Sequence, residues 1–245
     1  MSRNFTLLLS SWLLSGSALV AFDGAATGIL TFVFVVLGWL VALVLHEFGH
    51  AYVAWKAGDH TVETNGYLSM DPLRYADVAT SLVIPVVVLA IGGLALPGGA
   101  VYLREDLMRS RGWRSAASLA GPGGTLVMLL LLSVALAVGG LGGWQGALWP
   151  AIALLALFQA MALVLNLLPV PGLDGYGVIR PYLSDSARRF MAPVERWAIY
   201  ALLAALLFVP GVSTIVFGLA FLVASLFGID GQLIATGYDA FTFWR

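Results

Sequence analysis

Five residues early in the chain, His46-Glu47-Phe48-Gly49-His50, have the types and spacing to hold and use a metal ion. On a helix, residues four apart share a face, so His46 and His50 can present both imidazoles to one ion. Glu47 is turned by about 100° from His46. It lies beside such an ion rather than on it, which suits a general base acting on a metal-activated water. Catalytic zinc takes three protein ligands and keeps a place for water. The motif supplies two. The chain has no cysteine, so the third must be a histidine or a carboxylate. Asp174 is the outstanding candidate. It closes the stretch Asn166-Leu167-Leu168-Pro169-Val170-Pro171-Gly172-Leu173-Asp174-Gly175, whose prolines end an apolar run and turn the backbone before Asp-Gly. Asn166, an amide in an otherwise apolar segment, suits either of two tasks: a hydrogen bond to a developing oxyanion or a bond between helices.

Both motifs sit in apolar stretches, Ile29–Ala57 and Ala151–Val170. Ionisable groups at membrane depth are expensive and mark function by default. Sixty per cent of the 245 residues are hydrophobic and ten per cent are charged. A soluble domain cannot bury that fraction, whereas lipid accepts it as exterior. The expected class is an all-α polytopic membrane protein, built as a single integral membrane domain over 1–245 with its core at about 29–182. Without cysteine, disulfides and thiolate metal sites are excluded. A net charge of −1 with no basic tract gives no sign of a nucleic-acid partner.

About five to six transmembrane helices must position these groups. The candidate segments are Phe5–Phe22, Ile29–Ala57, Val78–Pro97, Ser115–Val138, Ala151–Val170 and Trp197–Phe227. The first reads as an uncleaved helix, with a signal peptide as the alternative. The last is too long for one ordinary span and is interrupted at Pro210-Gly211. Lys56, Arg74 and Arg104 to Arg114 fall in loops, as do Arg180 to Arg196, whereas Gly139–Trp149 and Asp23–Gly28 carry no basic residue. The positive-inside rule puts the N-terminus and the Arg-rich loops in the cytoplasm. Positive charge then flanks Val78–Pro97 on both sides, so that segment should enter and leave on one face. Its Pro85, Gly92-Gly93 and Pro97 fit a re-entrant or broken element. On this layout both metal motifs lie toward the cytoplasmic ends of their helices and can meet. The remaining polar features have plainer readings. His60, Asp23, Asp59, Glu63, Asp185 and Glu195 are expected as solvated loop residues. Gly121-Pro122-Gly123-Gly124 is expected to permit close helix packing or a kink.

Taken together, HEFGH in one apolar segment, Ala120-Gly121-Pro122 in a later one and NLLPVPGLDG at the end of a third resemble the site-2 protease family of intramembrane zinc metalloproteases. The resemblance runs from about Ile29 to Tyr182 and is closest to compact bacterial members without PDZ or CBS domains. It implies one zinc held by His46, His50 and Asp174, Glu47 as the catalytic base, and Asn166 on the substrate carbonyl. It further implies hydrolysis of transmembrane segments of other membrane proteins near the cytoplasmic face, in a bacterial inner membrane. One position departs from the pattern. Many members carry Asn three residues after Gly-Pro, where this chain has Thr125, so a polar contact there is expected to be rearranged. The rival reading is a membrane metal transporter or metal-binding protein using the same His, His and Asp. Against it stand the lack of an internal repeat and the single cluster of intramembrane ionisable groups. The residues name neither a particular substrate nor an oligomeric state.

Overall fold

A computed structural model describes residues 1–22, 24–75 and 101–245, and among these it contains helices and no strands. The long helices are α1 (Arg3–Ala21), α2 (Thr27–Ala57), α3 (Arg111–Gly140) and α4 (Leu148–Asn166). Each is long and apolar enough to cross a bilayer. Shorter helices follow: α5 (Asp174–Ile179), α6 (Asp185–Glu195), α7 (Ala198–Phe208), α8 (Val212–Leu226) and α9 (Gly231–Phe241). A bent pair, α6 with α7, makes a fifth candidate span by length and composition. The break expected at Pro210-Gly211 is present between α7 and α8, with Gly211 in the left-handed region at φ 91°.

Helix α4 is the axis of the bundle. Every residue from Pro150 to Met161 is buried, and α2, α3, α8 and α9 pack around it. Lipid-solvated helices gain little by hiding apolar surface from one another, so close backbone approach and shape complementarity must hold them together. The α2–α3 contact illustrates this. A Cβ on Gly49 would lie 2.3 Å from the Ala120 carbonyl oxygen, and one on Gly124 would lie 2.5 Å from that of Leu45. Glycine at both positions lets the two backbones touch.

The segment 78–97, read from sequence as re-entrant or broken, lies outside the described residues, as does Asp23. Its flanks are placed, however. The chain leaves α2 at Ala57 and enters α3 two residues after Arg109, whose N–H donates to the Ala57 carbonyl at 3.0 Å. Ala57 and Arg109, on either side of it, therefore lie at one end of the bundle. Asp59 corrects the sequence reading. It is fully buried, accepting from the Thr61 N–H at 3.0 Å and the Arg104 N–H at 2.8 Å, and so ties the two sides of that crossing together. Glu63 accepts from the Trp55 indole at 3.3 Å, while His60 is exposed as expected. Helix α4 ends at Asn166, four residues before the expected boundary, and α6 and α9 form where no span was expected. Their N-caps are Ser184 and Asp230, each bonded to a backbone N–H two or three residues on.

Gly49→Ala would overpack the α2–α3 contact at a backbone atom that cannot yield. A destabilisation of about 1–3 kcal/mol is expected, read as a lower midpoint of thermal unfolding in detergent. A midpoint equal to that of the unaltered protein would show that the two backbones have room to separate.

Candidate active site

Helix α2 places His46, Glu47 and His50 in the last three turns before its end, all three side chains buried. Their imidazole rings stand 4.7 Å apart at 80° to each other, and the two Nε2 atoms are 3.1 Å apart. Asp174 arrives from beyond α4. After α4 the chain turns at Pro171-Gly172: the Leu173 N–H donates to the Val170 carbonyl at 3.0 Å, with Gly172 at φ 94°. Proline followed by a left-handed glycine is the pattern of a type II turn. The turn delivers Asp174 as the first residue of α5. Its Oδ2 lies 3.2 Å from His46 Nε2 and its Oδ1 3.2 Å from His50 Nε2. Oδ2 is sealed from solvent and makes no hydrogen bond.

These three residues form a group able to hold a metal, with all ligand atoms within 4.8 Å of one another. The separations fit zinc. Tetrahedral ligands at about 2.0–2.1 Å from one ion lie about 3.3 Å from each other, close to the 3.1 and 3.2 Å observed. Two imidazoles and one carboxylate are also the donor set of a catalytic rather than a structural site.

Helix α3 forms the back wall. The Ala117 carbonyl accepts from His50 Nδ1 at 2.7 Å, and the Thr125 hydroxyl lies 2.9 Å from His46 Nδ1. A carbonyl can only accept, so His50 carries a proton on Nδ1, which leaves Nε2, on the Asp174 side, as the atom that would meet a metal. Between them, Gly121 faces both rings: a Cβ there would lie 2.1 Å from His50 Nε2 and 2.6 Å from His46 Nε2. Ala117, Gly121 and Thr125 are successive positions four apart, so one face of α3 backs the whole site. Pro122 contributes by lacking an N–H for the Ser118 carbonyl, which loosens the helical ladder where His50 reaches in. Gly121, in the stretch expected to permit close packing or a kink, thus also makes room for the two imidazoles. Thr125 keeps a polar contact to His46 across the departure noted from the family pattern.

The other residues are placed as follows. Glu47 Oε2 accepts from the Val101 N–H at 3.1 Å, which fixes one carboxylate oxygen. Asn166 is the last residue of α4 and is buried, and its amide makes no hydrogen bond among the described residues. The carbonyl of Leu167, next in sequence, lies against Gly175 beside Asp174. Two clamps on α5 were not foreseen. Ser115 Oγ donates to the Val178 carbonyl at 2.6 Å. Glu195, expected as a solvated charge, accepts from Tyr176 Oη at 2.7 Å and Arg180 Nε at 3.3 Å. Their sequence separations, 63 and 19 residues, carry no local signal.

Thr125→Val keeps shape and removes the hydroxyl behind His46. Zinc affinity is expected to fall about 10–100-fold in chelator competition, with Thr125→Ser near the parent value. Equal affinity for Thr125→Val would detach Thr125 from the metal centre.

Three relatives carry the comparison with known proteins. Over 217 residues the chain is 43% identical to a Mycolicibacterium smegmatis protein named by inference as zinc metalloprotease Rip2, covering 87% of this chain and 81% of the relative. Its Mycobacterium tuberculosis counterpart, from strain H37Rv, is 43% identical over 215 residues with the same coverage. A Bacillus subtilis protein, named by inference as zinc metalloprotease YwhC, is 28% identical over 170 residues, 67% of this chain and 75% of the relative. No family profile and no solved structure matches.

Proposed function

The chain belongs to the site-2 protease family and is an intramembrane zinc metalloprotease, and on that premise we propose that His46, His50 and Asp174 hold its zinc while Glu47 is the general base. The observation that carries this reading is the meeting of Asp174 with both histidines at 3.2 Å, from segments far apart in sequence. The membrane metal transporter is not favoured, since the relatives are named as metalloproteases.

Zinc at such a site supplies Lewis acidity, polarising a carbonyl and bringing the pKa of water to about 7. The side chains do the rest. Glu47 takes the proton from the attacking water and passes it to the departing amine, which needs one carboxylate oxygen free and the other steady. The Val101 N–H on Oε2 leaves Oε1 for that work. The Asn166 amide, without a protein partner among the described residues, donates to the substrate carbonyl as negative charge grows on its oxygen.

The substrate is a transmembrane segment of another membrane protein. Such a segment must unwind before cleavage, because an intact helix in lipid keeps every backbone group bonded within itself. Cutting takes place near the cytoplasmic face, in a bacterial inner membrane, with the N-terminus and the Arg-rich loops on the cytoplasmic side. The chain works as one integral membrane domain.

Two variants separate holding the metal from using it. Glu47→Gln is expected to keep one zinc per chain and to lose about 10²–10⁴ in cleavage of a transmembrane reporter. Asp174→Ala is expected to lose both zinc and cleavage. Near-normal cleavage by Glu47→Gln would sink the base assignment, and full zinc in Asp174→Ala would remove Asp174 from the ligand set.

A further inference from the structure

Helix α6 is unlike the rest of the bundle. Asp185, Arg188, Arg189 and Glu195 fall within its eleven residues, a denser set of charges than any of the four long helices carries. It meets the apolar α7 at a bend of 56°. Phe190, Val194 and Trp197 follow the i, i+4, i+7 pattern and share one face, which is exposed; Phe190 is 76% accessible and Trp197 is 66%. This face does not stop at the bend. The Trp197 ring lies 6.0 Å from that of Tyr200, itself exposed on α7, and exposed Leu207 and Phe208 carry the apolar surface onward. One exposed apolar strip therefore runs from a charged helix onto an apolar one.

The polar side is equally specific. Arg189 and Arg196 are seven residues apart, on the same edge of the helix, and neither meets an acidic partner among the described residues. Arg188 is held by the Leu183 carbonyl at 3.1 Å and by Asp185 at 3.7 Å. Glu195, on the opposite edge, is turned inward to Tyr176 and Arg180. Thus one edge grips the protein, one face is apolar and bare, and the other edge offers two unpaired guanidinium groups. Long basic side chains flanking an apolar face are the device by which a helix lies in a membrane interface and takes hold of lipid phosphates.

We propose that α6 is an in-plane interfacial helix that seats Phe190, Val194 and Trp197 among acyl chains and binds anionic phospholipid headgroups through Arg189 and Arg196. Its seat also steadies the active site, because the inward edge reaches α5, the helix that starts at Asp174. Arg180 extends the connection by pairing with Glu105 at 3.2 Å, on the far side of the path that leaves α2. The lipid surface is thereby tied to the carboxylate arm through Glu195, Tyr176 and Arg180.

The chain has no cysteine, so a single introduced one reports alone. Spin labels at Phe190→Cys, Val194→Cys and, on the polar side, Ala192→Cys are compared in the full-length protein in nanodiscs. One set is of phosphatidylcholine alone, the other contains phosphatidylglycerol. Labels at 190 and 194 are expected about 5–10 Å below the phosphate level, screened from a water-soluble relaxation agent, with the 192 label open to it. Phosphatidylglycerol should draw 190 deeper, and Arg189→Gln with Arg196→Gln should abolish that gain. Labels at 190 and 194 as open to water as that at 192 would overturn the proposal and leave the face to a protein partner. Immersion with no response to phosphatidylglycerol, or one that persists in the double variant, would overturn the headgroup assignment.

Discussion

The approach of α3 to α2 across Gly49, Gly121 and Gly124 sets the position of both imidazoles at the site. Backbones in contact at Gly49 and Gly124 bring the α3 face within hydrogen-bonding reach of both imidazoles. Without side-chain volume at 121, the Nε2 atoms can approach to 3.1 Å. A larger residue at any of the three would part the helices or push a ring aside, and either result separates the ligand atoms. Lipid cannot supply this closeness, since it solvates apolar side chains as well as a neighbouring helix does. Small residues at fixed spacing must supply it instead, and here the same residues serve both the packing and the chemistry.

Charge inside the bundle is handled by the same economy of position. His46, His50 and Asp174 answer one another, and Glu47 is answered by a backbone N–H. Asp59, buried where α2 ends, is satisfied by two backbone donors from opposite sides of the crossing. A buried carboxylate left without donors would be costly. Satisfied ones instead fix the register of segments that sequence distance leaves independent.

The separation of the legible from the illegible follows from this. The pattern of His46, Glu47 and His50 is readable because helical spacing is local, whereas Asp174 is a candidate through motif resemblance and topology, since no spacing rule joins residues so far apart. The run of apolar segments is readable from composition alone, and four helices among the described residues, long and apolar enough to cross a bilayer, agree with it. Contacts that depend on which faces meet are a different matter. Nothing local in Thr125 says that it stands behind His46, and nothing in Asp59 or Glu195 marks either as turned inward. Helices α6 and α9 leave little trace in hydropathy because each is short. Their caps, Ser184 and Asp230, were the available signal.

Of the three residues proposed to hold zinc, two come from α2 and the third follows a turn beyond α4, so an ion gripping all three would also be a cross-link between distant parts of the chain. Binding energy spent there counts toward holding the bundle closed, because an opened chain offers no such arrangement of ligands. The lifetime of the protein in its membrane is then set in part by metal supply: scarcity of zinc would hasten its turnover as well as silence it.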